Sequence, residues 1–237
     1  MRWFAISGAV AAAILAGALF GGPGHAHRFR LTIEVDTPDG ARSASSVVEV
    51  EREDNGLIAP AGRYEFRVRG EGVFLDLGGG RNVVLTLAHG DSAEDVSRIT
   101  TLWVEAYGRG HRDERVWSGW DKLRGAVELR PPLVPTLVTF ADPLDPATVR
   151  AVRPDGFEEA FGPGHRFRRA TLEVLPNGWW PANALGLSAG EPYTRGAIQQ
   201  RLPWLAGLRT NLAGTRGQST NDIRERLNPF NFRRQDP

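Results

Sequence analysis

From Arg28 to Asp36 the chain reads RFRLTIEVD, with Phe29, Leu31, Ile33 and Val35 separated by charged or hydroxyl residues. This period of two predicts a strand with one buried face and one wet face. Thr37-Pro38-Asp39-Gly40 reads as a turn, because proline presets φ and glycine tolerates positive φ. The chain is then expected to return through Ser45–Glu53. Arg63–Gly70 (RYEFRVRG) alternates in the same way, with Tyr64, Phe66 and Val68 on one side. Val73–Leu77 and Val83–Ala88 are apolar on both faces instead, the pattern of strands covered from two sides. Between them stand Gly78, Gly79 and Gly80. A dinucleotide-binding loop would need a further glycine where Val83 stands, and a helix after it. A P-loop would need Gly-Lys-Ser/Thr, and Lys122 is the only lysine. The triplet therefore predicts a hairpin whose arms pair at the centre of a sheet.

Helical signals are short. Ser92-Ala93-Glu94-Asp95 resembles a capping box, and Val96, Ile99 and Trp103 follow at helical spacing. That predicts a helix passing into a strand near Leu102–Tyr107. Residues 108–125 form a polar, glycine-rich connection, and TLVTF (Thr136–Phe140) predicts another strand. Asp145-Pro146 predicts a helix start, with Arg153-Pro154 closing that turn. Phe157–Phe161 predicts a second short helix stopped at Gly162. HRFRRATLEV (His165–Val174) echoes HRFRLTIEV (His27–Val35) with one extra residue near Arg169, as a β-bulge produces. Thr194–Leu202 predicts a short helix ended by Pro203. These elements predict a β-rich α+β fold: an antiparallel or mixed sheet with a few short helices, preceded by one N-terminal hydrophobic helix. The expected domain spans 27–206, with a polar, disordered tail over 207–237.

The N-terminus changes the picture most. Arg2 is followed by uncharged residues from Trp3 to Gly24. A run of about 18 apolar residues is long enough to cross a bilayer. Ala16-Gly17-Ala18 and Gly24-His25-Ala26 also fit a small-x-small cleavage site. Residues 1–26 are thus expected as a signal anchor, inserting residues 3–22 in the membrane, or as a cleaved signal peptide. The corresponding locations are the inner membrane, single-pass with the C-terminal domain periplasmic, or the soluble periplasm.

Composition narrows the chemistry. Across 237 residues the net charge is +1, and arginines are spread along the whole chain, so nothing argues for nucleic acid. Without cysteine there is no disulfide, thiol nucleophile or thiolate zinc site. His25, His27, His89, His111 and His165 make no close ligand pair on one folded element and are expected at the surface, in turns or at the processing site. Gly186-Leu187-Ser188-Ala189-Gly190 matches a nucleophile elbow in letters, but no histidine lies downstream. No metal or other cofactor is expected. Acids gather at Asp142, Asp145, Asp155, Glu158 and Glu159, where a glycosidase-like pair or helix caps would both fit. Trp117, Trp120, Trp179 and Trp180 fall in loops, where aromatics stack on sugars or anchor partner proteins. They are the candidate binding residues.

GEGVFLDLGGGRNVVLTLAHG (Gly70–Gly90), LVPTLVTFADPLDPATVRAVRPDGFEEAFGPG (Leu133–Gly164) and RLPWL (Arg201–Leu205) together resemble a family of uncharacterised bacterial proteins. Its members carry an N-terminal hydrophobic segment and have no assigned function. The resemblance implies a folded, exported or anchored domain and carries over no site residue. The expected function is a non-enzymatic binding or structural role in the cell envelope, toward an envelope protein or polysaccharide. The alternative is an envelope hydrolase using the acids between Asp142 and Glu159.

Overall fold

The computed structural model describes residues 22–54, 64–108, 119, 122–176, 190–215 and 222–234. The strands are β1 (Gly22–Thr37), β2 (Gly40–Asp54), β3 (Tyr64–Glu71), β4 (Val73–Gly78), β5 (Arg81–Leu85), β6 (Ala126–Glu128), β7 (Leu137–Phe140), β8 (Val149–Val152), β9 (Arg166–Leu175) and β10 (Arg233–Arg234). They form two sheets, ordered β10-β3-β2-β1-β9-β6 and β4-β5-β7-β8, and every pairing is antiparallel. Among the described residues, four short α-helices connect them: α1 (Leu102–Ala106), α2 (Phe157–Phe161), α3 (Ala197–Arg201) and α4 (Ile223–Arg226). The β-rich α+β expectation holds. The expected N-terminal helix lies almost wholly outside the described residues, and β1 already begins at Gly22. Among the described residues no helix is long and apolar enough to cross a membrane.

Alternation along β1 places Phe29, Leu31, Ile33 and Val35 in the core with no exposed surface. They meet Val73, Leu75, Leu77, Val83 and Leu85 of the smaller sheet in one apolar cluster. The opposite face of that sheet packs Phe74, Val84, Val138, Phe140 and Val149 against Ile198, Leu202, Leu205, Leu212, Leu227 and Phe232. The four-stranded sheet is therefore a middle layer, which explains why its strands are apolar on both sides. The part of the cover on its second face from Leu212 to Phe232 falls in the segment expected to be a disordered tail. Leu212, Leu227 and Phe232 are buried, and β10 adds to β3. Glu71 fastens that cover: its buried carboxylate accepts the backbone N–H groups of Gly196 (2.5 Å) and Ile198 (3.0 Å) at the start of α3.

The two similar strands are neighbours. β1 and β9 pair about Thr32 and Thr171, which sets Arg30 opposite Glu173 and Glu34 opposite Arg169. Arg30 meets Glu173 at 2.6 Å, and Arg169 meets Glu34 at 2.8 Å. The register shifts between Glu34 and Val35, leaving Arg168 as the extra residue of the expected bulge. The glycine triplet is the expected hairpin: Gly78 pairs with Arg81, and Gly79 and Gly80 carry φ of 60° and 76°. Of its two arms, however, only β5 is central, and β4 lies at the edge of the sheet.

Two local expectations fail. The helix placed from Ser92 starts later, because Asp95 bridges back to His89 and its carboxylate accepts the Ser97 and Arg98 amides. A 3-10 turn at Arg98–Thr100 and α1 follow, so Leu102–Ala106 is helical rather than extended. After Asp145, which does cap a 3-10 turn through Ala147 N–H at 2.9 Å, the chain becomes β8 instead of continuing as helix.

Candidate functional site

The four tryptophans expected to bind, Trp117, Trp120, Trp179 and Trp180, lie outside the described residues, as does Gly186–Ala189 of the elbow-like stretch. His27 and His89 are placed differently from expectation. His27, in β1, is 2% exposed and its ring lies 4.7 Å from that of Trp103. His89 is 1% exposed; His165 is 5% exposed and, as expected, sits in a turn, its backbone N–H donating to the Gly162 carbonyl at 3.3 Å. Burial pushes the His27 imidazole down to about 3, with the Arg52 charge acting in the same direction. Burial likewise pushes His89 down to about 4; Arg98 adds to that, while Asp95, the Leu133 carbonyl and Glu105 oppose it. Both rings are neutral core groups. Among the described residues no three histidine or acidic side chains gather as a metal site.

The acids divide into two sets. Asp142 accepts the Leu144 amide at 2.9 Å and Asp145 the Ala147 amide at 2.9 Å, so both hold the turn before β8. Glu158 is exposed on α2. Asp155 and Glu159 line a cleft of about 1120 Å³.

One wall of that cleft is a face of the β7–β8 ribbon, buried at Leu137, Thr139 and Val152 and exposed at Arg150. Thr139 pairs with Arg150 and Leu137 with Val152, so these four side chains share one face. The other walls are the Gly90–Ser92 loop, the Pro131–Pro135 segment, and the Pro154–Gly156 turn with α2. Thr136 ties two walls together by donating from Oγ1 to the Gly90 carbonyl at 2.7 Å. Arg153 and Asp91, both largely exposed, approach to 3.6 Å across the rim. The side chains of Arg150, Asp155 and Glu159 have no ion-pair or hydrogen-bond partner among the described residues. Thr139 is 8% exposed and its hydroxyl is also unpartnered among them.

No family model, curated protein or solved structure matches the chain.

Chemically, the cleft offers an unpaired cation and two unpaired carboxylates on an exposed lining. It is larger than most sites that enclose a small molecule, which run to roughly 1,000 Å³. Such a lining complements a ligand carrying both charge signs along its length. Sequence reading found Asp155 and Glu159 but missed Arg150. The available signal was VRAV (Val149–Val152), two β-branched residues around an arginine, hidden between two proline-marked turns.

Proposed function

We propose that this chain is a non-enzymatic binding domain of the cell envelope, anchored by residues 3–22 or released to the periplasm after their removal. Its ligand, an envelope protein or polysaccharide segment, seats in the cleft beside β8. The observation that carries this reading is the set of charged groups there without protein partners, Arg150 on one side and Asp155 and Glu159 on the other. Solvated charges of both signs around one cleft are available to a ligand that carries the opposite signs. The envelope assignment is supported by the uncharged N-terminal run.

A photo-crosslinking residue at Thr139, inside the cleft, is expected to capture an envelope component in intact cells. The same residue at exposed Leu144, outside it, is expected to capture none. Equal adducts from both positions would end this reading. Fractionation with N-terminal sequencing tests the location: recovery in the cytosol with Met1 intact would contradict it.

The hydrolase reading retains one supporting observation, that Asp155 and Glu159 share the cleft. Envelope polysaccharide and peptide fragments incubated with the protein would reveal it. Products released by the wild type and not by Asp155→Asn with Glu159→Gln would replace binding with catalysis.

A further inference from the structure

Resting on the cleft as the binding site, the geometry points to an extended peptide as its occupant, added as a fifth strand to the free edge of β8. We propose that this peptide runs antiparallel to β8 and carries the pattern Lys-x-Val-x-Glu.

The edge is set by hydrogen-bond parity. In an antiparallel ladder, successive residues turn their N–H and C=O alternately to one neighbour and then to the other. Phe140 directs both groups at β5, where the Asn82 side chain bonds them, and Thr136 bonds Thr86 and Ala88 on the same side. Leu137 and Thr139 therefore face β8, bonding Val152 and Arg150. Ala151 is left with its N–H and C=O directed outward from the sheet. β8 is the last strand of its sheet; α4 packs against it, with Ile223 on the cluster that holds Val149. Ala151 stays exposed, with no further backbone bond among the described residues. A peptide residue opposite Ala151 completes a donor–acceptor pair there.

The side chains follow from the same register. The residue after that central one lies opposite Arg150, and the residue before it lies opposite Val152, both facing the cleft. Unpaired Arg150 selects a carboxylate, and Val152 selects a β-branched apolar side chain. Two residues further toward the peptide N-terminus, the cleft-facing position reaches the end where Asp155 and Glu159 stand. A cation fits there. Antiparallel order then reads Lys-x-Val-x-Glu, and charge complementarity fixes direction as well as composition.

The test uses the capped peptide Thr-Lys-Thr-Val-Thr-Glu-Thr, observed by NMR chemical-shift changes on the full chain. It is expected to perturb Ala151 and Arg150. The reversed peptide, Thr-Glu-Thr-Val-Thr-Lys-Thr, has the same composition and is expected to bind roughly ten-fold more weakly. N-methylation of the threonine between Val and Glu removes the donor to Ala151 and is expected to weaken binding by about ten-fold. Arg150→Glu, an exposed change that should leave Tm unaltered, is expected to lose this peptide and gain Thr-Lys-Thr-Val-Thr-Lys-Thr. Equal binding of the reversed or N-methylated peptide would reduce the effect to loose charge attraction and overturn the proposal. Absence of binding by every peptide at millimolar concentration would overturn it too. In that case a crosslink from Thr139 to a saccharide would leave the cleft itself standing as the binding site.

Discussion

The Asn82 side chain holds both backbone groups of Phe140, donating from Nδ2 to its carbonyl at 2.8 Å and accepting its amide on Oδ1 at 3.0 Å. Both residues are buried, so neither water nor another strand shares these bonds. A side chain thus stands in for one step of the β5–β7 ladder. Asn82→Ala would leave a buried N–H and a buried C=O unpaired, at roughly 1–3 kcal/mol each. Urea denaturation should show a loss of about 2–5 kcal/mol. A change under about 1 kcal/mol would mean that the strands close directly when the amide is removed.

Glu71 provides a second, more local test. It anchors the start of α3 from the end of β3, and its carboxylate has no exposed surface. Glu71→Ala removes two charge-assisted acceptors and leaves the buried Ile198 amide and the half-buried Gly196 amide unpaired, an expected loss of about 2–4 kcal/mol. Glu71→Gln keeps one acceptor oxygen and should lose about half as much. Amide hydrogen exchange should quicken first at Ile198, Leu202 and Leu205. Uniform quickening across both sheets would show instead that the cover and the sheets open together.

The hairpin gives a third. Gly79 has φ of 60°, and a Cβ built there meets only the end of the Arg81 side chain at 2.8 Å. Gly79→Val should therefore act through backbone strain in the left-handed region, about 1–2 kcal/mol, with little steric addition. Gly79→Asn should lose less, because asparagine tolerates that conformation. Equal losses for the two variants would make contact rather than φ the cause.

Acid should weaken this fold through His27 and His89. Their folded-state values, about 3 and about 4, lie below the ordinary 6.5. Between those limits the unfolded chain holds a proton on each histidine that the folded chain refuses. Stability from this source is fully present above pH 6.5 and falls as pH drops toward 4. The slope for two such groups is about 2.7 kcal/mol per pH unit. Urea midpoints from pH 7 to pH 4.5 should decline accordingly, and the double variant His27→Gln, His89→Gln should flatten that decline. An unchanged slope would place the acid sensitivity elsewhere.

Much of the scaffold was legible because it depends on local periodicity. The β1 alternation, the glycine hairpin, the Asp145 cap and the bulge in β9 each follow from a few adjacent residues. That the two HRFR strands would lie side by side was not legible, since pairing is settled by topology. The buried C-terminal cover was misread for a similar reason. Leu212, Leu227 and Phe232 follow no fixed period and take meaning only against Phe74, Val84 and Phe140, which the middle sheet turns toward them. The cleft was half legible. Asp155 and Glu159 stood out as acids, but Gly90–Ser92 and Pro131–Pro135 reach them only through the fold.

The pairing of β1 with β9 also has a consequence in time. Arg30 and Glu173 are separated by 143 positions, so β1 emerges long before the strand that completes one of its edges. At ordinary elongation rates of about 5–20 residues per second, the wait is on the order of ten seconds. During that interval β1 has β2 on one side and an open row of amides and carbonyls on the other. Until β9 arrives, that row is the side of β1 open to pairing with another chain.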